Sequence, residues 1–205
     1  MSSKLDPRHF LRHAFIYKTY QNIVGGTRAR KLFIKNNVKA KKNNKILDIG
    51  CGPGYVLDFL PKVDYYGCDI DQHYIDSANV NYKDKGTFIC AGVDDFVVPN
   101  PGTFDIVMAS GVVHHLDDEK ANKLFNIANQ ALKPNGRFIT FDGCYVKDQS
   151  KIAHWFLKSD RGEFVRTQEE YEAIAKNHFS NINSIIDETY FRIPYTSLIM
   201  ECKKL

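Results

Sequence analysis

The chain has 205 residues, 43% hydrophobic and 25% charged, values that suit one soluble globular domain able to bury its own core. No apolar run approaches the ~18 residues of a membrane span. The stretch Met1–Phe15 lacks the apolar h-region of a secretory signal, and five scattered cysteines with no C-x-x-C pair argue against a disulfide framework or a cysteine zinc site, so a reducing, cytoplasmic setting is expected. The formal charge of +4 is uneven: the first 45 residues hold 12 Lys/Arg and a single acid, Asp6, whereas the remaining 160 hold 16 basic and 23 acidic residues. The basic residues of this arm are scattered among apolar ones. They read as a solvated helix face and a Lys/Asn linker, the competing reading being a surface for an anionic substrate, lipid headgroup or nucleic acid.

Apolar residues recur at helical spacing from Phe10 to Val38 and are interrupted at Gly25-Gly26, which predicts two amphipathic helices joined at that pair. Strand-like and helical patterns then alternate. "KILDI" reads as a buried strand, Tyr55–Leu60 as the start of a helix, "VDYYGCDI" as a strand and Gln72–Tyr82 as a helix. "GTFICAG" and "FDIVMAS" are strands, Asp118–Leu132 is a helix, and "GRFITFD" is a fifth strand after the turn "KPNG". Such alternation implies right-handed crossovers and a parallel sheet with helices on both faces. Thr167 and Glu170 form a capping box that opens a further helix. "INSIIDET" and "TSLIMECKK" follow with no helix between them, so they should pair antiparallel as a terminal hairpin. The expected organisation is a helical arm over 1–40 and a core over 41–205, with an insertion at about 143–166.

Three glycines, Gly50, Gly52 and Gly54, stand between the first strand and the following helical pattern. Glycine there permits positive φ and leaves room for backbone to approach a ligand, at the strand–helix turn where open α/β sheets bind one. Asp48 precedes the loop, placed to orient the turn or meet a ligand ammonium. Asp69 ends the second strand 19 residues after Gly50, placed to accept from two ribose hydroxyls. The dinucleotide pattern G-x-G-x-x-G fails because position 55 is Tyr55, and no Gly-Lys-Ser/Thr of a P-loop follows. The residues thus describe a nucleoside site with no provision for a pyrophosphate.

"ILDIGCGPG", "YYGCDID", "FDIVMASGVVHHLDD" and "LKPNGRFI" together resemble the class I S-adenosylmethionine-dependent methyltransferases, over about Lys45 to Asp142. The resemblance implies an α/β, Rossmann-like, mostly parallel seven-stranded sheet of order 3-2-1-4-5-7-6 with its seventh strand antiparallel. It implies S-adenosyl-L-methionine as cofactor and S-adenosyl-L-homocysteine as product. The cofactor loop carries over to Asp48, Gly50, Cys51, Gly52 and Gly54, the ribose acid to Asp69 and the adenine packing to Ile70. Where many members have an acid after the third strand, this chain has Gly92; Val93 offers backbone to the ring and Asp94 is the candidate for the amino-group contact. Ser110 and Gly111 should meet the cofactor by backbone.

The implied reaction is direct in-line methyl transfer to a small-molecule oxygen or nitrogen nucleophile. The alternatives are action on RNA or another anionic polymer through the basic arm, or a nucleoside-binding protein without catalysis. The Asn/Asp-Pro-Pro-aromatic motif of enzymes that methylate exocyclic base nitrogens is absent, "ASGV" standing in its place, so nucleic acid is not favoured. His114 and His115 are the titratable candidates for a general base, against a plain role at a helix entry. No metal site is expected. Acceptor choice should reside in the flanking segments: the arm, with Tyr17, Tyr20, Gly25, Gly26 and Arg28, read as a lid over the cleft, and the insertion with the only tryptophan, Trp155.

Overall fold

The computed structural model describes residues 25–159 and 163–205. Its order follows from the alternation of apolar side chains along each central strand. In β1 (Lys45–Ile49) Leu47 and Ile49 join one core cluster, whereas Ile46 joins the other. Neighbouring β4 (Phe104–Ser110) divides its residues the same way, with Val107 and Ala109 on one face and Ile106 and Met108 on the opposite one. A strand whose two faces are both apolar must be covered on both sides.

The sheet runs β3-β2-β1-β4-β5-β8-β7. β2 (Asp64–Asp69), β3 (Thr87–Cys90) and β5 (Leu132–Tyr145) complete the parallel part. β8 (Ser197–Lys203) is antiparallel to β5 and to β7 (Asn181–Asp187), which is the expected terminal hairpin. A two-residue β6 (Arg166–Thr167) pairs with the end of β5 beside the main path. With β6 set aside, the seven strands have the expected order and the expected antiparallel last strand.

On one face lie α1 (Gly26–Phe33) and α2 (Gln72–Tyr82); on the other lie α3 (Asp118–Ala131) and α5 (Gln168–Lys176). The caps match the local sequence: Asp71 accepts from the His73 N–H, Asp117 from the Lys120 N–H, and Thr167 with Glu170 closes the capping box. α4 (Lys151–Ser159) lies in the insertion and buries Ala153 and Leu157, four residues apart.

Three local expectations are corrected. The helix begun at Tyr55 is a single 3₁₀ turn, Tyr55–Asp58. Its N-cap, Gly54, supplies no side-chain bond, and Pro61 lacks the N–H that a continuing helix would need. The "KPNG" turn does not precede β5 but lies inside it, with Asn135 at φ 62° and a register shift between Phe104 and Ile106. The arm's second helix is core rather than appendage. α1 continues through a π turn (Ile34–Val38), and Phe33, Ile34 and Val38 are buried with the sheet residues Ile106, Ile139 and Phe141. Phe33 stacks on Phe141 at 5.2 Å, and the Arg137 guanidinium donates to the Asn37 and Val38 carbonyls. The arm's first helix lies outside the described residues.

Candidate active site

Strand order reverses between β1 and β4, so the loops after these two strands diverge and leave a crevice at their carboxyl ends. A cleft of roughly 2380 Å3 opens there. The first wall is the glycine loop. Gly50, Gly52 and Gly54 have φ of 76°, 53° and 79°. The Gly50 and Cys51 N–H groups both donate to the Cys68 carbonyl, tying the loop to the end of β2. The three glycines serve different needs. A Cβ on Gly50 would lie 2.4 Å from Val112 Cγ2, on the loop after β4; one on Gly52 would meet nothing within 4 Å; one on Gly54 would press on Tyr82 at 3.1 Å. Gly50 and Gly52 therefore line the cleft, and Gly54 allows the turn to pack on α2. Cys51 fits because β2 carries Gly67, where a Cβ would come within 2.7 Å of the Cys51 sulfur.

Asp69 faces the same loop: its carboxylate accepts from the Gly52 N–H at 2.8 Å and the Asp71 N–H at 2.9 Å. Ile70 is 78% exposed in the cleft, and Gly92 leaves it room, since a Cβ there would sit 3.1 Å from Ile70 Cδ1. Val93 and Asp94 line the cleft beside it. The Asp94 carboxylate is 2.8 Å from Lys123 Nζ; that hydrogen bond, against a little desolvation, keeps its carboxyl below the usual range. Asp48 is buried on the cleft floor, where its carboxylate accepts from the Tyr65 hydroxyl at 2.6 Å. Burial, reinforced by the neighbouring Asp69 charge, pushes its carboxyl up to about 7, against the lowering effect of Tyr65 and Arg30.

The opposite wall is the loop after β4. Ser110 ends the strand, and Gly111, at φ 72°, donates its N–H to the Phe141 carbonyl. A 3₁₀ turn, Val113–His115, then brings both imidazoles to the cleft with ring centroids 4.1 Å apart. His114 is buried, with Nδ1 2.8 Å from Asp142 Oδ1. The same oxygen accepts the backbone N–H of Val112 and of His114, at 3.1 and 3.3 Å. Asp142 Oδ2 and Ser197 Oγ are buried without a hydrogen-bond partner among the described residues. Arg166 clamps the loop from β6, donating to the Val113 and Leu116 carbonyls and to Asp118.

The remaining flanking residues separate. Gly26 lines the cleft, but Gly25 and Arg28 line a smaller pocket with Thr27, Lys31 and Arg192. Arg28 donates to the Thr189 and Tyr190 carbonyls. Trp155 is 61% exposed and does not line the cleft, whereas its neighbour Phe156 does. Tyr17 and Tyr20 lie outside the described residues. No cluster of three or more metal-binding side chains occurs among the described residues. Sequence reasoning passed over Arg30, Asp142 and Arg166. Arg30 lies over the Tyr55 ring and lines the cleft. Asp142 left one signal, a carboxylate closing an apolar strand run; Arg166 left none.

Residues 46–136 match the family model described as a methyltransferase domain. That match covers a little under half of the chain and joins the sheet order and the glycine loop already in view. Together they support a class I S-adenosylmethionine-dependent methyltransferase. Among curated relatives, this chain is 24% identical over 178 residues to the phosphoethanolamine N-methyltransferase of Plasmodium falciparum, covering 84% of this chain and 66% of that one. It is 26% identical over 110 residues to the ubiquinone biosynthesis O-methyltransferase of Idiomarina loihiensis, covering 51% and 44%. The chain thus spans less than two thirds of the length of either. Among solved structures it is similar in fold to a TehB-like methyltransferase of Corynebacterium glutamicum, with TM-score 0.69, 17% identity and 97% and 100% of the two chains covered. It is likewise similar to phosphoethanolamine N-methyltransferase 2 of Haemonchus contortus, solved with phosphomonomethylethanolamine and S-adenosylhomocysteine, with TM-score 0.69, 18% identity and 85% and 52% covered.

Proposed function

We propose that this chain binds S-adenosylmethionine in the cleft between β1 and β4 and passes its methyl group to a small-molecule oxygen or nitrogen nucleophile. The observation that carries the reading is the pairing of the glycine loop with Asp69 at the strand-order reversal. The residues present fit the group: the backbone at Gly52 borders open space that a Cβ would enter, and Asp69 stands beside it at the end of β2. Asp69 would hold the ribose hydroxyls, Ile70 and Val93 would flank the adenine, and Asp48 would face the ammonium. Bound there, the cofactor supplies a methyl group activated by its sulfonium charge. The chain's own task is to align the acceptor, exclude water and take up a proton. His114 and His115 are the side chains placed for the last of these. The named relatives act on both nitrogen and oxygen, so phosphoethanolamine is a reasoned first probe.

The lid reading is kept for the cleft-facing start of α1, supported by Gly26, Thr27, Ala29 and Arg30 on the cleft wall, whereas Phe33, Ile34 and Val38 belong to the core. Backbone exchange across Phe10–Arg30 should slow when S-adenosylhomocysteine is added; indifference to the ligand overturns the lid. A cytoplasmic setting agrees with five free cysteines and with the absence, among the described residues, of any helix long and apolar enough to cross a membrane.

The deciding experiment is calorimetry with S-adenosylhomocysteine. Binding well below ~1 mM is expected, and none at that concentration overturns the reading. Asp69→Ala should weaken binding by ~1.5–3 kcal/mol, the range for a hydrogen bond to a charged group, with the apo melting temperature held near wild type. An unchanged dissociation constant in a folded variant would reduce Asp69 to a strand-end residue.

A further inference from the structure

We infer that the methyl acceptor is a primary amine, held through an N–H bond against Asp142 Oδ2 at the β5 end of the cleft, so that nitrogen rather than oxygen receives the methyl group. This rests on the methyl-transfer reading above. The two oxygens of Asp142 are treated unequally. Oδ1 accepts the backbone N–H groups of Val112 and His114, at 3.1 and 3.3 Å, and lies 2.8 Å from His114 Nδ1. Oδ2 is buried and has no hydrogen-bond partner among the described residues. A buried carboxylate oxygen without a donor is costly, because the water it lost has not been replaced. Asp142 is 4% exposed, yet it lines the cleft. A donor arriving through the cleft supplies what the fold withholds. A second unpartnered atom, Ser197 Oγ, stands at the same end of the sheet: Ser197 pairs with Gly143 across β5 and β8 and also lines the cleft.

Charge selects the kind of donor. Phe141, Phe191 and Tyr195 line the same cleft, with ring centroids 6.0 Å apart for Phe141 and Phe191 and 4.8 Å apart for Phe191 and Tyr195. Phe141 precedes Asp142 in β5, and Tyr195 packs on Gly143, where a Cβ would come within 2.5 Å of its hydroxyl oxygen. Aromatic rings and a carboxylate both attract a cation. An amine binds here as its ammonium ion, whereas a phenolate or alkoxide, the reactive form of an oxygen acceptor, is repelled by the carboxylate. The reaction reinforces the choice. The ammonium gives one proton to water, and the amine so freed keeps two N–H bonds, one of them donating to Oδ2. Its lone pair bonds the methyl carbon, and the C–S pair stays with sulfur. Positive charge thus moves from sulfur to nitrogen, and Oδ2 stabilises it where it develops.

The test is calorimetry on the full chain saturated with S-adenosylhomocysteine. The probes come in pairs that differ only in nitrogen or oxygen at the accepting atom: ethanolamine and ethylene glycol, phosphoethanolamine and 2-hydroxyethyl phosphate, benzylamine and benzyl alcohol. In every pair that binds, the amine should bind ~10- to 100-fold more tightly than its alcohol, the ratio expected of a hydrogen bond to a charged group. Asp142→Asn keeps an oxygen for the Val112 and His114 N–H groups and puts an N–H donor in place of Oδ2, so the ratio should fall to about one. In that variant the affinities for the alcohol and for S-adenosylhomocysteine should hardly move, which a general loosening of the loop would not allow. An alcohol that binds wild type as tightly as its amine overturns the proposal without any mutation. So does the failure of every amine to bind at ~10 mM, above the usual KM range. A preference for the amine that survives in Asp142→Asn belongs to another group and overturns it too. S-adenosylhomocysteine is titrated first: its failure to bind wild type fails the methyl-transfer reading, whereas intact affinity with no preference for the amine fails only this inference.

Discussion

Asp48 shows how one buried group couples the cofactor loop to pH. Burial raises its carboxyl from the ordinary 3.8 to about 7. Folding therefore favours the protonated form. The stabilisation this contributes is complete below 3.8, declines as pH rises and is gone above about 7. Denaturant titrations of the apo protein should show stability falling across that window. Asp48→Asn, which keeps an oxygen for the Tyr65 hydroxyl, should flatten the fall; an identical slope in both proteins would assign it elsewhere. Gly50 and Gly52 make a second contrast. Gly50→Ala incurs a left-handed backbone cost of ~1–2 kcal/mol and, with its Cβ 2.4 Å from Val112, a further ~1–3 kcal/mol of overpacking. Adding Val112→Ala should recover the second part. Gly52→Ala should cost only the first in urea titrations and still weaken S-adenosylhomocysteine, because its methyl group enters the cleft.

At the scale of elements, the shortest strand has a large role. β6 holds only Arg166 and Thr167, yet Arg166 satisfies the carbonyls of Val113, Leu116 and Phe164 and so shapes the turn that carries both histidines. Arg166→Met leaves those carbonyls without their donor. It should cost at least ~1–3 kcal/mol, and turnover should fall more than S-adenosylhomocysteine affinity does, since the glycine loop is untouched. Equal losses in both would place Arg166 in the support of the whole cleft rather than of the histidine turn. Arg166→Lys should recover little, because one ammonium cannot reproduce the planar fork that spans three carbonyls.

For the molecule as a whole, the question is whether α1 and its π turn fold with the sheet. Phe33 is buried to 1% exposure and stacks on Phe141, and Arg137 links Asn37 and Val38 to β5. Phe33→Ala should therefore cost ~3–5 kcal/mol, as for a buried aromatic truncated in a core. Unfolding should remain one transition with fluorescence and far-ultraviolet circular dichroism coincident. A separate early transition, with the main midpoint unmoved, would make α1 an independent unit.

The succession of strands and helices, the terminal hairpin, the capping box at Thr167 and the loop Gly50–Gly54 were legible in the sequence because each is a local pattern: apolar runs of strand length, a hydroxyl and an acid three residues apart, glycines where backbone must turn; the order of strands in the sheet followed only from the family resemblance. Asp48, Asp69 and the histidine pair were legible for the same reason, lying within or beside those patterns. What only the tertiary structure decided are the contacts between distant segments. Gly67 makes room for Cys51 from the adjacent strand, Arg166 reaches back about fifty residues to Val113 and Leu116, and Asp142 meets His114 across 28 positions. A residue's role in such a contact depends on which strands lie side by side. That neighbourhood is set by packing of the whole sheet, so no window of the sequence contains it.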